Sequence, residues 1–190
     1  MKRQNAFTLI ELLMTIAVAT ILVSVAIPGL QEFKKNSRQR NATNELVSAM
    51  RVARNTAITT NSRVTVCASR DGNTCQLTNW SQGWIAFVDE NSDRVLDANE
   101  TVLRRGTGSQ QLTISSGQFQ SFFVYRPNGR VMNASLAGNS GQFTICDDRG
   151  NEHAKAIRLD LSGRARAVDV YAGEQGMDGV VVQVACPIMQ

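Results

Sequence analysis

The chain has 190 residues and a formal net charge of +4 at neutral pH. That length holds one core of ordinary size with an appendage, and not two full domains. Lys2 and Arg3, at the extreme N-terminus, supply part of the charge, so it does not by itself call for nucleic acid. The four cysteines (Cys67, Cys75, Cys146, Cys186) form no CxxC and the single His153 stands apart from them, which argues against zinc.

The first element is the run from Phe7 to Ile27, FTLIELLMTIAVATILVSVAI, with 21 residues and one charge, Glu11. At about 1.5 Å per residue a helix of this length spans the hydrocarbon layer of a membrane. Basic residues before it favour a cytoplasmic N-terminus and place the rest of the chain on the oxidising side. A secretory signal would end in a small-residue cleavage site, and Ala26-Ile27-Pro28 does not resemble one. The small residue lies at the other end, at Ala6. Cleavage there would remove only the basic leader and keep the helix.

Glu11 is the anomaly. A carboxylate at the centre of a membrane helix costs about 2.5–3.5 kcal/mol on insertion scales. Cleavage after Ala6 would supply a partner, the new amine of Phe7. The amine lies about one turn away in the same helix and could meet Glu11 directly between staggered neighbours, so an unpaired Glu11 favours assembly. The plainer reading is a Glu that snorkels to the membrane edge.

Ala6-Phe7-Thr8-Leu9-Ile10-Glu11 resembles the prepilin cleavage and methylation motif of type IV pilin-like proteins, with Ala6 where Gly is usual. The resemblance implies a prepilin peptidase that cuts after Ala6 and N-methylates Phe7. It also implies a bacterial inner-membrane anchor, a periplasmic globular domain, and other pilins or pseudopilins as partners through the N-terminal helix. Pro28 matches the point where the long helix of pilins bends.

After Pro28-Gly29 the chain turns polar. Leu46, Val47, Met50, Ala53, Arg54 and Ala57 fall on one helical face, and Asn61-Ser62 reads as a stop. The pattern predicts one helix from about Phe7 to Thr60, softened or kinked near Pro28. Short strands follow: Val64–Ala68, Trp84–Val88, Val102-Leu103, Leu112–Ile114, Phe122–Tyr125, Phe143–Cys146, Ile157–Leu161 and Val180–Ala185. The expected organisation is a leader over 1–6, a membrane or filament-core helix over 7–27, its amphipathic continuation over 28–62, and a β-rich domain over 63–190. The fold class is α+β: a pilin-like long helix packed on antiparallel sheet.

Four cysteines in an exported domain allow three pairings. Cys67–Cys75 would close a short polar loop and Cys146–Cys186 would tie the C-terminal tail to an inner strand. This pairing is preferred over the others and over four buried thiols.

Two segments carry candidate binding chemistry. Asp89–Glu100 resembles a twelve-residue calcium loop, with oxygens at Asp89, Asn91, Asp93, Asp97 and Glu100. Arg94, however, stands where the loop needs Gly, and the flanks read as strands. A solvated acidic connection is the favoured reading, with no metal and no cofactor. A similar segment recurs in the GspH/FimT branch of minor pilins and pseudopilins. Gly163-Arg164-Ala165-Arg166 follows a turn at Ser162-Gly163. On a strand Arg164 and Arg166 would share a face, with Ala165 and Ala167 inward. Two forked donors so spaced can grip successive phosphates.

That motif resembles the GRxR element of FimT-type minor pilins, which implies double-stranded DNA as a partner in natural transformation. Arg149, Lys155 and Arg158 could extend the patch, while Glu152, Asp160 and Asp169 dilute it. An ordinary solvated turn is the competing reading. So is a GspH-type pseudopilin of type II secretion with no DNA role. His153, Asp160, Asp169 and the serines form no sequence-local triad, and an enzyme is not expected.

Overall fold

The computed structural model describes residues 8–75, 80–133, 140–169 and 186. The chain divides into two compact units, 1–38 and 39–190.

Helix α1 runs from Leu9 to Thr60, through Pro28, and both units share it. Thr8 caps it: its hydroxyl accepts the Glu11 N–H at 3.3 Å and its carbonyl accepts the Leu12 N–H at 3.2 Å. Thr-x-x-Glu at a helix start is the spacing of a capping box, and an acid in the first turn suits the positive end of the helix dipole. Within the first unit every described residue up to Lys34 is exposed, including Leu9, Ile10, Leu12, Leu13, Val25 and Leu30. Thr15, Thr20 and Ser24 donate their hydroxyls to carbonyls three residues back. The polar atoms of these side chains are thus satisfied within the helix, as an apolar solvent demands.

In the second unit α1 turns amphipathic. Thr43, Leu46, Val47, Ala49, Met50, Ala53 and Ala57 are buried along one face. The helix ends where Asn61 takes a left-handed conformation, φ 51°, a conformation Asn tolerates at a C-terminus.

Nine strands are described in this unit. They are β1 (Arg63–Ala68), β2 (Gly83–Asp89), β3 (Val102–Thr107), β4 (Thr113–Ser115), β5 (Phe122–Tyr125), β6 (Val131–Met132), β7 (Gly141–Cys146), β8 (Lys155–Leu159) and β9 (Ala165–Asp169). They form two antiparallel sheets, ordered β3-β2-β1-β5-β6 and β4-β7-β8-β9, in keeping with the expected helix on antiparallel sheet. The residues facing α1 make one core. Trp80, Phe119, Phe123, Phe143 and Tyr125 form its aromatic centre, with the Trp80 indole N–H held by the Phe119 carbonyl at 2.7 Å. Trp84 and Phe87 are buried as well. The predicted run Val180–Ala185 lies outside the described residues.

Candidate functional site

The N-terminal marks come first in the chain. Ala6 and Phe7 lie outside the described residues. Glu11 sits in the first turn of α1, among exposed apolar side chains. Among the described residues of its own unit, nothing covers that surface.

The second candidate is the β8–β9 hairpin. Strand β8 stops at Leu159, two residues earlier than the sequence suggests, and the connection is five residues long rather than a two-residue turn. The Asp160 N–H donates to the Arg164 carbonyl at 3.2 Å, and the Gly163 N–H donates to the Asp160 carbonyl at 2.9 Å. The Asp160 carboxylate closes the loop from inside, accepting the Ser162 hydroxyl at 2.6 Å and the Arg164 N–H at 3.0 Å. Burial pushes this carboxyl up. Hydrogen bonds from Ser162 and Arg164, with the charge of Arg166, outweigh burial and hold it below the ordinary aspartate value. The turn is thus tied by an ionised aspartate whose charge is directed into its own loop.

Gly163 has φ +78° and is buried; a Cβ there would lie 2.1 Å from the Gly129 carbonyl oxygen. Only glycine fits such a position. The Tyr125 hydroxyl donates to the Gly163 carbonyl at 3.3 Å. Burial raises the Tyr125 phenol well above its usual range, so it stays a donor. From α1, the Arg54 Nε donates to the Ser162 carbonyl at 3.0 Å and to the Gly129 carbonyl at 3.2 Å. The helix, β5 and the turn at Gly129 therefore grip one short loop.

The register then decides which side chains share a face. Leu159 pairs with Ala165, Arg158 with Arg166, Ile157 with Ala167 and Lys155 with Asp169. Directly opposed residues point the same way. Ala165 is buried, and Arg164 and Arg166 are exposed. Ala167 lies on the inward side, as the sequence suggests, but is exposed; among the described residues β9 is the sheet edge. Arg158 sits beside Arg166, on the outward face. Lys155 is on the opposite face of the sheet from both, which separates it from the patch. Arg149 is not part of the patch either: its guanidinium is bound to the Asp147 carboxylate, Nη2 to Oδ2 at 2.6 Å, and reaches Gln39. The side chain of Asp169 lies outside the described residues.

The acidic loop is arranged around its own hydrogen bonds. Buried Asp89 accepts the Thr65 hydroxyl and the Arg94 N–H. The Asn91 amide donates to Asp93 and Asp97 at 2.9 Å each, and Glu100 accepts the N–H groups of Glu90 and Asp97. Arg94 adopts φ 67°, the left-handed turn for which Gly is expected, and its guanidinium lies 5.0 Å from the centre of the Phe122 ring. Among the described residues no group of three His, Cys, Asp or Glu side chains is placed to hold a metal ion.

Both disulfides join the preferred pairs. Cys67 and Cys75 have Cα atoms 5.5 Å apart, and Cys146 and Cys186 have theirs 5.7 Å apart. Asp71, inside the first loop, accepts the Asn73 and Thr74 N–H groups and both nearby hydroxyls, which hold its carboxyl far below the usual range.

A long helix, bare and apolar in one half and carrying a two-sheet domain on the other, defines a pilin-like filament subunit. The family described as type II transport protein GspH matches residues 42–163, and the prokaryotic N-terminal methylation motif matches residues 1–27. The chain belongs to this GspH family of minor pilins and pseudopilins, subunits of type IV pili or type II secretion systems rather than enzymes. It is 26% identical over 138 residues to a fimbrial protein of Pseudomonas aeruginosa, covering 73% of this chain and 77% of that one. A second fimbrial protein of that organism is 41% identical over 58 residues, covering 30% and 37%. The type IV minor pilin FimU of P. aeruginosa shares the fold, with a TM-score of 0.56 and 18% identity over 72% of this chain and 92% of that one.

Proposed function

We propose that this chain is a minor pilin whose globular domain receives double-stranded DNA at the β8–β9 hairpin. A prepilin peptidase removes residues 1–6 and methylates Phe7. The N-terminus is cytoplasmic, the globular domain is periplasmic, and the helix joins a filament through its apolar face. The released amine of Phe7 pairs with Glu11 of a neighbour. The observation that supports the DNA reading is the hairpin itself: two exposed arginines, two residues apart, on a turn locked by Asp160, Tyr125 and Arg54. The locked backbone sets the spacing of the two arginines, and their forked donors suit phosphate.

The test is a titration of the full chain, in nanodiscs of neutral lipid, with labelled duplex DNA over a range of salt. Binding is expected to be sequence-tolerant and to weaken steeply with salt. Arg164→Ala with Arg166→Ala should remove most of it. Unchanged affinity in that variant, or no binding by the parent, refutes the DNA reading.

The second reading is a pseudopilin of type II secretion with no DNA role, and the name of the matching family favours it. Deletion of the gene would then stop protein secretion and leave DNA uptake intact.

A further inference from the structure

The β8–β9 turn does not stand alone. The β5–β6 turn, Arg126-Pro127-Asn128-Gly129-Arg130, lies against it. A Cβ on Gly163 would touch the Gly129 carbonyl, and the same Arg54 Nε binds the Gly129 and Ser162 carbonyls together. The β5–β6 turn is itself closed by the backbone: the Arg126 N–H donates to the Arg130 carbonyl and the Gly129 N–H to the Arg126 carbonyl. The last paired residues of that hairpin, Tyr125 and Val131, are buried. Alternation therefore puts Arg126 and Arg130 on the side opposite Tyr125 and Val131, the side that Val124 and Met132 share. Arg130 is exposed and Arg126 half-buried.

We infer that these two abutting turns form one phosphate-binding surface, in which Arg126 and Arg130 extend the Arg164 and Arg166 pair along a DNA backbone. The inference rests on the DNA reading above. Chain length keeps the Cα atoms of the four arginines within roughly 20 Å of one another. That limit corresponds to at most about six base pairs of duplex at roughly 3.4 Å each. Of the two acids nearest in sequence, Asp160 has its carboxylate occupied by Ser162 and Arg164 of its own loop, and Asp169 holds the register position opposite Lys155, alternate to that of Arg166. Arg54 is the positioning residue. It fixes the spacing of the two turns by holding both carbonyls with one N–H, and it does so from α1, the element that continues towards the anchor.

The two arginine pairs should therefore act as parts of one site. Arg126→Ala with Arg130→Ala, in the full chain in neutral nanodiscs, is expected to weaken duplex binding about fivefold or more. The slope of log affinity against log salt should fall by about two, near one unit for each phosphate no longer neutralised. Arg126→Lys with Arg130→Lys keeps the charges and should restore most of the slope. The backbone bonds of the turn do not involve these side chains, so an unchanged thermal midpoint is expected in both variants. If the alanine variant keeps the parent's affinity and slope while the Arg164/Arg166 variant loses binding, the two-turn surface is refuted and the hairpin reading stands. If the lysine variant binds as poorly as the alanine variant, charge is not the cause and the inference also fails. A parent chain that binds no duplex refutes the DNA reading itself.

Discussion

The first and second halves of α1 are covalently one helix and physically two problems. Between Leu9 and Phe33 the apolar side chains are bare within their unit. Between Gln39 and Ala57 one face is buried against two sheets. The difference teaches where each half keeps its information. The first half is specified by composition: length, hydropathy and one charge. Its apolar surface calls for cover from outside its unit, by lipid or other subunits. The second half is specified by pattern, because its neighbours belong to the same domain and each must find a particular face.

Substitutions can break this comparison, and the largest effect is expected at Glu11. Glu11→Ala removes a carboxylate that is costly to place among apolar groups, so membrane insertion should persist while the protein disappears from the sheared filament fraction. Normal incorporation of this variant would show that the first half needs only hydropathy. In the second half, the removal of disulfides gives the next effect. The Cys146–Cys186 link spans 40 residues and Cys67–Cys75 spans 8. On loop entropy, removing the first should cost about 4 kcal/mol and removing the second about 2.5 kcal/mol. Denaturant midpoints of the two serine double variants measure the order, and the reverse order would show that native packing, not loop length, sets the stability.

Gly163→Ala should follow, with about 2–3 kcal/mol lost from the left-handed backbone and the collision with the Gly129 carbonyl. Thermal unfolding would record it. A neutral substitution would mean that the two turns are free to separate. The smallest effect is the pH response. Asp71 and Asp160 have carboxyls lowered by hydrogen bonds. Ionised carboxylates that prefer the folded state stabilise it fully above the ordinary aspartate value, near about 3.9, and the gain is lost as pH falls through the lowered value. Stability should thus drop below about pH 4, and Asp160→Asn should flatten that drop while leaving neutral pH less stable than the parent.

Much of this architecture is legible in the sequence. Leu46, Val47, Met50, Ala53 and Ala57 repeat at helical spacing, and they are the buried face. Phe122–Tyr125 reads as a strand at its observed bounds, since aromatic and β-branched runs between turn residues have few alternatives. The end of β8 is misleading by two residues, because Leu161 looks like a strand residue while Asp160 captures the backbone around it. Arg126 and Arg130 escape a sequence reading. Their only local signal is Pro-Asn-Gly between two arginines, an ordinary turn. Lys155 and Arg158, three residues apart, look like one patch until the register sets them on opposite faces.

The sequence by itself determined a helix long and apolar enough to cross a membrane. An apolar run, two basic residues before it and a single carboxylate act through transfer energies that depend on residue type and order along one helix. It also determined the number of cysteines and the turn glycine at Gly163. Only the tertiary structure decided that Gly163 lies against Gly129, that Arg54 holds both turns, and that Arg149 is already bound to Asp147. Most of those facts are distances between residues tens of positions apart. They follow from how two sheets close over one helix, which no local spacing encodes.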